Sequence, residues 1–133
     1  MYDYHMHSRV SFDARDSGLD MALAAAARGV KEICFTDHID YTPEMDMVFD
    51  TAVYNAEYDG LQVPGLLIRR GMEFGLTPDN PDQLKKDLQR RHFDFVLGSV
   101  HLVDGAASKI STLHAHHSTQ VPLTPKEAVL VLR

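Results

Sequence analysis

Four short apolar runs in this chain each end on residues able to ligate a metal ion, and that recurrence constrains the fold more than any other feature. The first run carries His5 and His7 in Asp3-Tyr4-His5-Met6-His7-Ser8. The later ones end in Thr36-Asp37-His38, in Gly71-Met72-Glu73-Phe74-Gly75 and in Gly98-Ser99-Val100-His101. Side chains two apart on an extended strand share a face, so His5 and His7 can grip one ion together. A lone His-x-His is a weak signal, because core histidines produce it by chance. Its repetition in kind at the end of three further runs is a strong one.

Helix signals separate the runs. Met1 to His7 reads as a first strand, and Asp16 or Ser17 caps a helix whose Leu19, Ala22, Leu23, Ala26 and Ala27 form one apolar stripe, stopped at Gly29. That stripe is expected to pack on a sheet. Glu32 to Asp37 reads as a second strand buried on both faces, with Cys34 inside it. The acidic stretch from Tyr41 to Gly60 reads as a long loop with a short helix within Met47 to Tyr58. Gly65 to Glu73 supplies a third strand, interrupted by Arg69 and Arg70, two arginines of the kind that ordinarily stay solvated. Asp79-Asn80-Pro81 starts a helix with Leu84 and Leu88 as its seam, and Phe93 to His101 is a fourth strand. The alternation predicts an α/β fold with parallel strands and helical crossovers. In such folds the C-terminal strand ends carry the site, which brings His5, His7, His38, Glu73 and His101 to one face.

At 133 residues the chain has room for one core. Its 44% apolar and 24% charged residues are those of an ordinary globular protein, and with no apolar run of about 18 residues neither a membrane span nor a membrane partner is expected. The N-terminus lacks a basic n-region and an apolar h-region, so no secretory signal is expected. Cys34 is the only cysteine, which excludes an intrachain disulfide and fits a cytoplasmic setting. A net charge of −6 argues against a nucleic-acid partner, while a local cluster of cations, metal ions included, still attracts a phosphate.

The four motifs, in this order, resemble successive motifs of the polymerase-and-histidinol-phosphatase (PHP) superfamily. The wording of Gly71 to Leu76 and of Asp94-Phe95 through His101-Leu102 is most similar to its histidinol-phosphatase branch. The resemblance covers residues 1–105 and implies the N-terminal portion of a distorted (β/α)7 TIM-like barrel. It implies His5, His7, His38, Glu73 and His101 as ligands of a trinuclear centre of divalent ions (Zn, Mn or Fe), with Glu73 as the bridge. Asp13 falls where relatives often place a further ligand, and Asp37 is expected to orient its neighbour from behind the ligands. The implied activity is hydrolysis of a small phosphate ester by metal-activated water, with L-histidinol phosphate of histidine biosynthesis as substrate. The alternatives are another PHP phosphoesterase, directed at nucleotides or nucleic acid, and an inactive remnant.

A complete (β/α) barrel takes about 250 residues, and the family's later histidine and final Asp-x-His pair have no match here. The chain is therefore expected to be C-terminally truncated, with 106–133 a divergent loop followed by the start of a helix at Thr124-Pro125-Lys126-Glu127. His114, His116 and His117 in that tail read as loop residues rather than replacement ligands. An open barrel edge leaves strands unpaired, so self-association is expected.

Overall fold

The computed structural model describes residues 1–40, 50–76 and 81–100. In chain order the elements are β1 (Tyr2–Met6), α1 (Gly18–Ala27), β2 (Glu32–Phe35), β3 (His38–Asp40), α2 (Thr51–Tyr58), β4 (Leu67–Gly75), α3 (Pro81–Arg90) and β5 (Phe95–Ser99). Every strand pairing is parallel: β1 with β2, then β2 and β3 with β4, and β4 with β5 on its other side.

The strand predicted over Glu32 to Asp37 continues to Asp40. Phe35 lies opposite Arg70 and His38 opposite Glu73, so β2 and β3 keep one register against β4 and are one strand interrupted at Thr36-Asp37. The interruption stays tied on both sides. Thr36 N donates to Met6 O at 2.8 Å, and Glu73 N donates to Asp37 O at 2.9 Å. The third and fourth strands run from Leu67 to Gly75 and from Phe95 to Ser99, shifted by about two residues from the predicted limits, as is usual for boundaries. The helix expected within Met47 to Tyr58 is α2, which begins after Asp50; the Asp50 carboxylate accepts from Ala52 N and Val53 N.

One face of the sheet is apolar and carries the helices. Ile33, Phe35, Ile39, Met72 and Phe74 from the strands pack with Ala22 and Ala25 of α1, Tyr54 and Tyr58 of α2, Leu84 of α3 and Phe93. Burial of side chains this size stabilises by about 1.5–3 kcal/mol each before entropy is counted. Leu84 is buried and Leu88 half-buried, as the seam predicted.

Of the stripe predicted on α1, Ala22 is buried and Ala26 packs against the core, while Leu19, Leu23 and Ala27 face outward, a correction to that reading. Leu19 and Leu23 are 47% and 50% exposed, and Gly18, Ala22 and Ala25 are the buried positions. Close approach is the reason: a Cβ at Gly18 would lie 2.9 Å from the Tyr58 ring. The smallest residues face inward because α1 sits that near α2, and leucines at those positions would not fit.

The opposite face carries Tyr4, Glu32, Arg69 and Phe95 near the N-terminal strand ends. Tyr4 OH donates to the Glu32 carboxylate, Arg69 Nε donates to Glu32 Oε1 at 2.9 Å, and the Tyr4 ring meets Phe95 edge-on at 5.6 Å. Arg69 is thus engaged, and Arg70 pairs with Asp59 at 2.5 Å; both arginines are tied down in the fold. Among the described residues β1 and β5 each pair on one side only. No helix among them is long and apolar enough to cross a membrane. The tail over 101–133, with the boundary expected at 105, lies outside the described residues, as do 41–49 and 77–80.

Candidate metal centre

A register shift between Asp3 and Met6 of β1 shapes the site. Asp3 pairs with Ile33 but Met6 with Phe35, so β1 carries an extra residue there. A bulge of this kind places neighbouring side chains on one side of a strand. Tyr4 therefore reaches Glu32 while His5, next in sequence, reaches Glu73 on the same face. His7 follows two residues later at the strand end.

Glu73 is the hub. Its carboxylate is 2% exposed, and Oε2 lies 2.9 Å from His5 Nε2, 2.9 Å from His7 Nε2 and 3.8 Å from His38 Nδ1. Oε1 accepts a hydrogen bond from Ser99 Oγ. His38 stands directly opposite Glu73 in the sheet register, and Asp13, on the loop after β1, comes in from the outer side. Asp13 Oδ2 is 3.0 Å from His7 Nδ1 and 3.4 Å from His38 Nε2. His5, His7 and Glu73 form one group of donor atoms within 4.8 Å of one another, and His7, Asp13 and His38 form a second. All five sequence-predicted residues in the described part thus converge, while His101 lies outside the described residues.

The donor set fits a divalent metal. It contains imidazole nitrogens and carboxylate oxygens without sulfur, the chemistry that suits Zn, Mn or Fe. Metal–ligand bonds near 2.1 Å in a tetrahedron separate donors by about 3.4 Å, close to the spacings seen. Neutral imidazoles do not balance a buried carboxylate, and a divalent ion does. The set grades from Glu73 and His38, both buried, to His5 and Asp13, 34% and 40% exposed in their side chains, so the centre opens on one side.

Electrostatics follow from the same contacts. Burial works against a charged His7, but the hydrogen bonds to Glu73 and Asp13 outweigh it and raise its pKa above the ordinary 6.5. Burial likewise opposes ionisation of Asp13, yet the neighbouring His7 and His38 draw its pKa below the usual carboxylate value. Metal binding requires a deprotonated His7, so it is linked to proton release.

Behind these donor groups lies a second layer of polar residues. Asp37 is 2% exposed; its Oδ1 accepts from Ser8 N at 2.7 Å and its Oδ2 from the Tyr58 hydroxyl. Burial raises its pKa, with the bonds from Tyr58 and Ser8 acting in opposition. Ser11 Oγ accepts from His38 N at 2.7 Å. Asp40, itself buried, places Oδ2 3.3 Å from His38 Nδ1. Sequence reasoning missed Asp40, Ser99, Ser8, Ser11 and Tyr58. Asp40 was within reach, because His38-Ile39-Asp40 repeats the spacing of His5-Met6-His7. Tyr58 was not, since it depends on where α2 docks.

The chain resembles known proteins in sequence and in fold. The PHP domain family model matches residues 3–128. The histidinol-phosphatase of Lactococcus lactis subsp. lactis is 35% identical over 103 residues, covering 74% of this chain and 38% of that protein. The probable histidinol-phosphatase of Clostridium acetobutylicum is 30% identical over 131 residues, covering 97% of this chain and 48% of that protein. The crystal structure of histidinol phosphate phosphatase from Lactococcus lactis, complexed with Zn, L-histidinol and phosphate, superposes with a TM-score of 0.72 at 33% identity, over 78% of this chain and 41% of that one. The chain therefore spans less than half the length of these relatives. Matched by that model over nearly all its residues and built on the same parallel α/β sheet, this chain belongs to the PHP domain family.

Proposed function

We propose that His5, His7, Asp13, His38 and Glu73 hold divalent metal ions, and that the centre they form hydrolyses L-histidinol phosphate to L-histidinol and phosphate. The observation that carries this reading is the convergence of three imidazoles on one oxygen of the buried Glu73 carboxylate. The names of the relatives, and the zinc, L-histidinol and phosphate in the neighbouring crystal structure, support the metal and the substrate.

When bound, divalent ions supply positive charge for the phosphoryl oxygens and acidify water at neutral pH. The residues themselves do the rest. Glu73, whose Oε2 is shared by His5 and His7 and whose other oxygen accepts from Ser99, would hold the ions together with those imidazoles. Asp13 draws His7 and His38 together, and Asp37 acts from behind by tying the segment that follows His7 to the one that leads into His38. Completing a trinuclear centre takes ligands beyond the two groups that share His7, and His101 is the one we assign. Zinc is the ion we place first, ahead of manganese and iron. The exposed flank at His5 and Asp13 admits the phosphate. The reading carries with it a small-molecule substrate and a cytoplasmic setting.

The test is phosphate release from L-histidinol phosphate by the purified chain with added Zn2+ or Mn2+, beside AMP and a short oligonucleotide. Release from L-histidinol phosphate, lost in EDTA and in His38→Ala, is the expected result. Equal release from AMP would reassign the substrate, and no release from any phosphate ester would contradict the reading.

A further inference from the structure

The two halves of the donor set arrive on different segments, His5 and His7 at the end of β1 and His38 at the interruption between β2 and β3. The parallel pairing of β1 with β2 ties them along the sheet, ending in the bond from Thr36 N to Met6 O. Their closer alignment comes from a buried hydrogen-bond ring. Ser8 N donates to Asp37 Oδ1 at 2.7 Å, the Tyr58 hydroxyl donates to Asp37 Oδ2, and Ser8 Oγ meets the Tyr58 hydroxyl at 2.5 Å. Val10 N donates to Ser8 Oγ at 3.2 Å, which leaves the serine hydroxyl to donate to Tyr58. Burial and the charge of Asp37 raise the Tyr58 pKa, in keeping with a phenol that donates. Ser8, Asp37 and Tyr58 are all buried, each flanking or facing a ligand-bearing segment: Ser8 follows His7 and Asp37 precedes His38.

We propose that Tyr58 is a positioning residue of the metal centre. From α2, its hydroxyl clamps the segment carrying His7 to the segment carrying His38 through Ser8 and Asp37, so that one helix sets the spacing of both donor groups. The ring is placed for this by packing that does not involve the hydroxyl. It stacks on Phe35 with centroids 4.8 Å apart, meets Tyr54 edge-on at 4.8 Å, and closes on Gly18, where a Cβ would find it at 2.9 Å. Removing the oxygen alone therefore leaves the ring seated and isolates the clamp.

This inference rests on the metal-centre reading and is tested by Co2+ titration of the whole chain, followed in the visible absorption bands. Tyr54→Phe is the matched control. Tyr54 lies one turn earlier on α2 and donates to Gly71 O at 2.9 Å, so its loss removes a buried hydrogen bond without touching Ser8 or Asp37. Tyr58→Phe is expected to weaken Co2+ binding by about threefold, less than the tenfold or more that follows loss of a group bonded directly to a ligand, and to alter the band positions. Tyr54→Phe is expected to lower the melting temperature in EDTA by a similar amount while keeping wild-type affinity and bands. Where Tyr58→Phe does not fold, Ser8→Ala breaks the same ring from its other end and carries the same expectation. Wild-type affinity and bands in Tyr58→Phe, or equal losses in both tyrosine variants, would overturn the positioning role while the metal reading stands. Failure of the unaltered chain to take up Co2+ would remove the metal reading and this inference with it.

Discussion

Gly71 shows how tightly the sheet beneath the site is built, and Gly71→Ala tests it. A Cβ there would lie 2.6 Å from Phe95 O, 2.9 Å from Cys34 Sγ and 3.1 Å from Phe35 O, against ordinary contacts of 3.4–4 Å. Two of the three atoms are backbone oxygens of the strands flanking β4, so they cannot rotate aside. Strand β5 must retreat by the better part of an ångström. Overpacking of this kind costs about 1–3 kcal/mol, and the backbone contacts place it at the upper end. The reduced entropy of the unfolded alanine chain offsets about 0.4–1 kcal/mol, leaving about 2 kcal/mol. For a chain of this size that is about 6–8 °C in Tm. Retreat of β5 also carries Ser99 away from Glu73, so Zn2+ affinity is expected to fall with stability. Thermal unfolding by circular dichroism in EDTA, paired with a Zn2+ titration, measures both. Gly60→Ala is the contrast: its φ is +79° and nothing lies within 4 Å, so it costs about 1–2 kcal/mol of backbone strain with no change in metal affinity. An unchanged or higher Tm for Gly71→Ala would refute the close packing on which this reasoning depends.

Three further outcomes are expected. The folded-state pKa of Asp37 is raised by burial above its ordinary 3.8, so its protonated form favours folding, and that stability is lost as pH rises through the folded pKa. In EDTA, Asp37→Asn should therefore gain on the unaltered chain between pH 4 and pH 8, and urea titrations giving a constant difference would contradict this. Cys34 is fully buried and its pKa is raised by desolvation, with Asp94, Glu32 and Asp37 adding to it, so iodoacetamide should label it only in denaturant; prompt labelling of the native chain would contradict its burial. The one-sided pairing of β1 and β5 among the described residues, beside exposed Tyr2, Leu19 and Leu23, should give concentration-dependent association in sedimentation, and a monomer at every concentration would count against it.

The clustering of these donors was legible in the sequence because its signal is local: a period of two puts His5 and His7 on one face, and parallel strands put the ends of successive apolar runs together. The alternation of helix caps and apolar runs likewise sufficed for the parallel α/β order. The α1 phase was not legible, because Leu19 and Leu23 are more apolar than Gly18, Ala22 and Ala25, and only the nearness of Tyr58 reverses their preference. The resumption of the second strand at His38 was hidden by polar Thr36 and Asp37, which are held by bonds to Met6, Ser8 and Tyr58 that only the assembled sheet provides. Ser99 lies in the fourth run-end motif but its bond to Glu73 spans 26 residues, and Tyr58 reaches the site from α2 with no local pattern to mark it.

The central claim is that the described donor groups are a metal centre. A crystal of the chain grown with Zn2+, with anomalous difference density collected at the zinc edge, tests it most directly. The account predicts one peak within about 2.2 Å of His5 Nε2, His7 Nε2 and Glu73, and a second bounded by Asp13 and His38. Zinc bound elsewhere on the surface, with the Glu73 carboxylate still bonded directly to the imidazoles, would contradict it.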